Sequence, residues 1–138
     1  MTATKIPKIE ELTEVFDLMD DWEDRYRYLI ELGGKLPLMP ESLKTEETRV
    51  EGCTSQVWMV LIKDDPGRID FLADSDAHIV RGLIAVLYAI YAGCKPQEAA
   101  DIDVDSYFNQ LGLQNHISPN RRNGFFAMVD RLKHMASP

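Results

Sequence analysis

Cysteine is scarce in this chain. Among 138 residues there are two, Cys53 and Cys94, and three histidines, His78, His116 and His134. A structural zinc site or an iron–sulfur cluster normally takes four ligands, mostly thiolates, so these counts argue against a metal centre. No Cys-x-x-Cys pair is present, which argues against a dithiol redox cycle. Basic residues are also few: Lys and Arg number 15 against 23 Asp and Glu, for a formal net charge of −8. Phosphate binding begins with a basic surface, so nucleic acid is not an expected partner. Long apolar runs are missing as well. The most apolar helix candidate, Ile79 to Tyr91, is too short to span a bilayer and contains Arg81. The first residues, through Lys5, Ile6 and Pro7, lack the apolar stretch of a signal peptide. The expectation is no membrane association and a cytoplasmic or similarly reducing location.

The length suits one domain, residues 1–138, with a core that needs no disulfide staples. Ile6, Ile9, Leu12, Val15, Phe16 and Met19 recur at helical spacing. A second helix, capped by Asp20 or Asp21, would turn Trp22, Tyr26, Leu29, Ile30 and Leu32 inward and stop near Gly33 and Gly34. Two strands follow, Gln56 to Lys63 and Arg68 to Asp74, joined by Asp64-Asp65-Pro66-Gly67, whose Pro-Gly is a turn signal. Thr48 to Glu51 could add a short third strand. A turn centred between Asp65 and Pro66 would set Val57 opposite Asp74 and Ser55 opposite Asp76, to within a residue or two of register.

The next helix would be capped by Ser75, start at Asp76 and end at Gly93; its apolar circumference marks it as central. Short helices are expected from Pro96 and over Ser106 to Leu111. A last one starts at Ser118-Pro119 and packs through Phe125, Met128, Val129 and Leu132. The fold class is α+β: a small antiparallel sheet covered by helices. Residues 111–138 carry Arg121, Arg122, Arg131 and Lys133 against Asp130 alone, an amphipathic basic end on an acidic protein.

Cys53 is the residue with the most chemical promise. It lies in Glu51-Gly52-Cys53-Thr54-Ser55-Gln56-Val57-Trp58, a polar segment running into an apolar strand. A structural cysteine more often sits within an apolar run. The residues themselves leave two readings open: a thiol presented at a glycine hinge, or a packed spectator. A thiol reacts as thiolate, which helix N-termini and cations favour. The hairpin would bring Cys53 beside the start of the next helix, while Asp74 and Asp76 would oppose ionisation there. The two effects roughly cancel, so no strongly acidic thiol is expected. Cys94, at a helix end, reads as structural.

Several segments together resemble the SufE family of sulfur-acceptor proteins. They are Trp22-Glu23-Asp24-Arg25-Tyr26 with Leu29-Ile30-Glu31-Leu32-Gly33 and Leu36-Pro37; Glu51 to Trp58; Asp74-Ser75-Asp76-Ala77 with Ile79 to Ala85; and Leu111-Gly112-Leu113, His116, Ser118-Pro119-Asn120-Arg121 and Gly124. The ordered set covers about residues 20–130.

The resemblance implies a fold like that of IscU-type scaffold proteins. It also implies a sulfur carrier rather than an enzyme in its own right. In that role Cys53 accepts persulfide sulfur from a pyridoxal-phosphate cysteine desulfurase (SufS-like), stimulates it, and passes sulfur to an iron–sulfur assembly complex (SufBCD-like). The pyridoxal phosphate belongs to the partner; this chain itself carries no cofactor or metal, only a transient persulfide. A scaffold would want three or four ligands near Cys53, and only Cys53 is there. Gly52 would act as hinge and Glu51 would lie at the docking edge. Arg121, in the matching Pro-x-Arg motif, would be the cation near the sulfur or the interface, with His116 behind it. Asp74 and Ser75 belong to the same neighbourhood. The competing readings are a single-cysteine thiol peroxidase or transferase, and a non-catalytic interaction module. A homodimer is left open.

Overall fold

The computed structural model describes residues 6–52, 55–62 and 67–136. In chain order the elements are α1 (Ile9–Asp17), α2 (Trp22–Gly33), β1 (Val57–Leu61), β2 (Phe71–Ser75), α3 (His78–Tyr91), α4 (Pro96–Ala99), α5 (Val104–Gln110) and α6 (Pro119–Ala136). Single 3-10 turns occupy Glu41–Leu43 and Leu113–Asn115. The expected architecture is there: mostly helices, with a two-stranded antiparallel sheet among the described residues. The turn residues Asp64, Asp65 and Pro66 and the end of the expected first strand, Lys63, lie outside the described residues.

Every residue of α3 except His78 and Arg81 is buried. A helix apolar all round has to be enclosed, and α1, α2, α6 and the sheet enclose this one. The approach of α2 is the tightest. A Cβ added at Gly82 would stand 2.7 Å from the Leu29 carbonyl oxygen, and one added at Gly33 would stand 2.8 Å from Arg81 carbon and Gly82 nitrogen. Each helix thus presents a glycine to the other's backbone, and side-chain volume is excluded from the crossing.

The pairing register is Val57↔Ser75, Trp58↔Asp74, Met59↔Ala73, Val60↔Leu72 and Leu61↔Phe71. This differs by one from the expected Val57–Asp74 pairing, for a reason of parity. Directly opposite residues share a face. Val57 and Met59 are buried, as are Ile69, Phe71 and Ala73, so odd positions must meet odd positions. The third strand is reduced to one bridge, Arg49↔Trp58, flanked by Val50 N–H to Val57 O at 2.8 Å and Met59 N–H to Thr48 O at 2.8 Å.

Two local expectations are corrected. Ser75 does not cap α3. It is the last residue of β2, paired with Val57, and the helix begins at His78 with Ala77 as N-cap. The buried Ser75 hydroxyl instead accepts from Ala77 N–H at 3.2 Å. Tyr26 is not on the inner face of α2: it is 39 % exposed. Arg25 takes the inward position, donating to Met19 O, Phe16 O and Leu111 O with its guanidinium over the Phe16 ring. Three backbone carbonyls and an aromatic face outbid a tyrosine there. The α2 cap holds, with Asp21 accepting from Glu23 N–H at 3.0 Å.

Replacing a helix-interior glycine by alanine ordinarily stabilises by about 1 kcal/mol. Gly82→Ala is expected to do the opposite, costing about 2 kcal/mol, because the new methyl meets immovable backbone. Urea unfolding of the two proteins measures the sign.

Candidate functional site

The Val50 N–H to Val57 O bond closes the base of the segment that carries Cys53. Cys53 and Thr54 lie outside the described residues, so the loop is defined by its two ends. On the entering side Glu51 and Gly52 are exposed, and Gly52 has φ +90° with its Cβ direction 3.4 Å from the Ala127 methyl of α6. Glycine suits that left-handed conformation, which costs other residues about 1–2 kcal/mol. On the leaving side Gln56 is held by Asp76 in both directions. The Gln56 N–H donates to Asp76 Oδ1 at 3.1 Å, and Asp76 N–H donates to Gln56 O at 3.3 Å.

A cavity of about 220 Å3 opens beside the loop. Its floor is apolar, from Val80 and Leu83 of α3 and Phe125 and Met128 of α6; Ser55 and Arg121 stand among its polar lining. Arg121 lies in the first turn of α6, where its N–H bonds the Ser118 hydroxyl at 3.2 Å. Its Nη1 is buried without a hydrogen-bond partner among the described residues. A buried donor left unpaired costs about 1–3 kcal/mol, more for a charged group. An anion with a slender apolar stem would satisfy both the cation and the apolar floor.

Asp74 and Ser75 lie one strand-end away. Asp74 is fully engaged: Oδ2 takes Lys44 Nζ at 2.8 Å, and Oδ1 takes Arg81 Nε and the Ser75 N–H, each at 2.8 Å. Arg81 Nε also donates to Ser75 O at 3.0 Å. Burial alone would raise the Asp74 carboxyl, but hydrogen bonds from Lys44 and Ser75 and the charge of Arg81 outweigh it and hold the group below its ordinary value. Lys44 is raised in turn, first by its bond to Asp74 and then by Glu41, and its ammonium lies 5.4 Å over the Trp58 ring. Asp74 is therefore not a bare negative charge, while Asp76 is exposed; the expected opposition to ionisation concerns Cys53, which lies outside the described residues.

His116 is placed elsewhere. It stacks on Trp22, centroids 4.4 Å apart and planes 12° from parallel, and does not line the cavity. Cys94 is partly buried, donating to Ile90 O at 3.4 Å, and burial followed by Glu98 raises its thiol pKa. Both properties make it a poor nucleophile. Among the described residues no cluster of three or more His, Cys, Asp or Glu is placed to hold a metal, and no helix is long and apolar enough to cross a membrane. Lys44, Arg81 and Ala127 had no place in the sequence reading of the site. Arg81 had a signal, a lone cation in an apolar helix seven residues after Asp74; Lys44 had none.

Comparison with known proteins follows the same outline. Residues 10–136 match the family model described as SufE, Fe-S metabolism associated domain. An uncharacterized SufE-like protein of Rhizobium meliloti is 45 % identical over 132 residues, covering 93 % of this chain and 94 % of its own. One from Rhizobium etli is 44 % identical over 131 residues, covering 93 % and 88 %. The solution structure of a hypothetical protein from Thermus thermophilus superposes with a TM-score of 0.75 over 94 % of this chain and 93 % of that one, at 22 % identity, a likeness of fold.

The linked pKa values give a stability test. Asp74, being lowered, stabilises the fold above the ordinary carboxylate range, and that contribution is lost as pH falls through its lowered value. Asp74→Asn should cost about 1–3 kcal/mol at neutral pH, since it removes the charge that Lys44 and Arg81 both meet. The difference from the parent should close at acid pH, below the lowered Asp74 value, where both side chains are neutral. Urea unfolding at the two pH values is the measurement; a constant difference would refute the pairing.

Proposed function

Because this chain belongs to the SufE family of Fe-S metabolism proteins, we propose that it is a sulfur acceptor and carrier in which Cys53 takes sulfur from the persulfide of a SufS-like cysteine desulfurase. The observation that best supports this reading is the cavity lined by Ser55, two residues past Cys53, with an apolar floor and the unpartnered Arg121 Nη1. A persulfide is an anion on a slender, polarizable stem, which matches that lining.

The exchange balances without an added oxidant. Cys53 thiolate attacks the outer sulfur of the donor's persulfide, a new S–S bond forms, and the donor's S–S bond breaks with its electron pair leaving on the donor cysteine as thiolate. The transferred sulfur keeps its oxidation state and arrives with its proton, which the new Cys53 persulfide then releases to solvent to become an anion. Arg121 stabilises the anionic persulfide in the cavity, while Gly52 and the Asp76-held Gln56 are the two ends from which the loop presents it. Glu51 lies at the edge that meets the desulfurase. The pyridoxal phosphate stays with that partner, the sulfur passes on to a SufBCD-like assembly complex, and the carrier works in the cytoplasm.

Incubation with a cysteine desulfurase and free cysteine should add one sulfur atom to the Cys53 peptide, read by mass spectrometry. Cys53→Ser should abolish the gain and the stimulation of the desulfurase, and Cys94→Ser should leave both intact. Label on Cys94, or stimulation by the Cys53→Ser variant, would overturn the assignment. Peroxide turnover without any desulfurase would favour a thiol peroxidase. Arg121→Glu should lower sulfur acceptance by about tenfold or more with a smaller effect on the unfolding midpoint; equal loss of both would make Arg121 structural.

A further inference from the structure

The stem of the Cys53 loop is gripped by a side chain from the far end of the chain. Arg131, on α6, donates from Nη2 to Glu47 O at 2.8 Å and from Nη1 to Arg49 O at 3.2 Å. Both donors go to backbone carbonyls rather than to a carboxylate. Glu47 and Thr48 lie in a turn that runs into the Arg49 bridge, and a planar guanidinium fork spans the two carbonyls where a single ammonium cannot. The gripped segment bonds to β1 on its other side, through Val50 N–H to Val57 O and Met59 N–H to Thr48 O. One turn earlier on α6, Ala127 meets Gly52, and the next face of that helix, Arg121, Phe125 and Met128, lines the cavity.

We propose that Arg131 is a positioning residue: it fixes the stem of residues 47–50 against α6 and so sets where the Cys53 thiol stands relative to the Arg121 cavity. The functional half of this rests on the carrier reading above. Residues 48–50 make a bridge rather than a full strand, so sheet hydrogen bonds hold them on one side only. The arginine supplies the second side, turning a weak edge into a clamped one. The cavity and the loop base are then registered to the same helix, and a shift of the stem would misalign thiol and cation together.

Arg131→Met removes the fork and keeps much of the aliphatic stem; Arg131→Lys keeps the charge and stays readable where the Met variant fails to fold. Arg122→Met, an exposed site on the same helix, is the control. Hydrogen exchange at the Val50 and Met59 amides should accelerate about tenfold in Arg131→Met and be unchanged in the control. The maximal rate of sulfur transfer should fall by a similar factor, about tenfold, at an unchanged half-saturating concentration. Arg131→Lys should recover only part of either loss.

Unchanged exchange at Val50 would overturn the clamp. Faster exchange with parental rates of sulfur transfer and of Cys53 alkylation by iodoacetamide would overturn its role in positioning. Full rescue by lysine would overturn the fork. Should the parent protein accept no sulfur while exchange and alkylation still respond to Arg131→Met, the carrier reading fails and the clamp stands.

Discussion

The glycine-to-glycine crossing of α2 and α3 is the contact on which the molecule is assembled. With Gly33 and Gly82 facing each other's backbone, the separation of the two helices is set by main-chain atoms, which do not change rotamer to relieve strain. The residue between them in the contact is Arg81, whose own backbone and Cβ lie against Gly33. Its side chain leaves that fixed point to reach Asp74 and the Ser75 carbonyl. Packing of the core and placement of charge at the end of β2 are therefore one arrangement. Asp76, next along, carries the consequence to the loop through Gln56.

The electrostatics of the site follow from who is paired and who is not. Asp74, mostly shielded with 14 % of its side chain exposed, is matched by two cations and three close donors. Arg121 is the inverse, a cation with a buried nitrogen and no partner among the described residues. One charge is thus neutralised where it stands, and the other keeps a donor nitrogen open at the cavity. That asymmetry sits at the start of a helix, where the backbone dipoles add in the same sense.

Much of this was readable beforehand, for identifiable reasons. The buried circumference of α3 and the apolar face of α6 are long periodic signals, and Phe125, Met128, Val129 and Leu132 are buried as the pattern implies. The hairpin came from its turn residues, and only parity of burial was needed to settle its register. The family was recognisable from ordered short segments, and residues 10–136 match it. What escaped were contacts with no local signature. Arg25 faces inward on the Phe16, Met19 and Leu111 carbonyls together, a convergence of three chain segments that helical spacing does not encode. Lys44 comes from the aperiodic connector after α2, and its partner Asp74 lies across the fold. Arg131 reads as one more basic residue on a terminal helix until Glu47 and Arg49 are seen beneath it.

Val50 and Val57, both buried, close the base of the segment that carries Cys53. Of the described residues between those two valines, Glu51 and Gln56 are exposed, so substitutions there disturb no core packing. Those two positions are free to drift in sequence while Gly52, held by its positive φ, and the framework stay constant. A lineage could then change what this edge recognises by rewriting two exposed positions, without renegotiating how the domain folds.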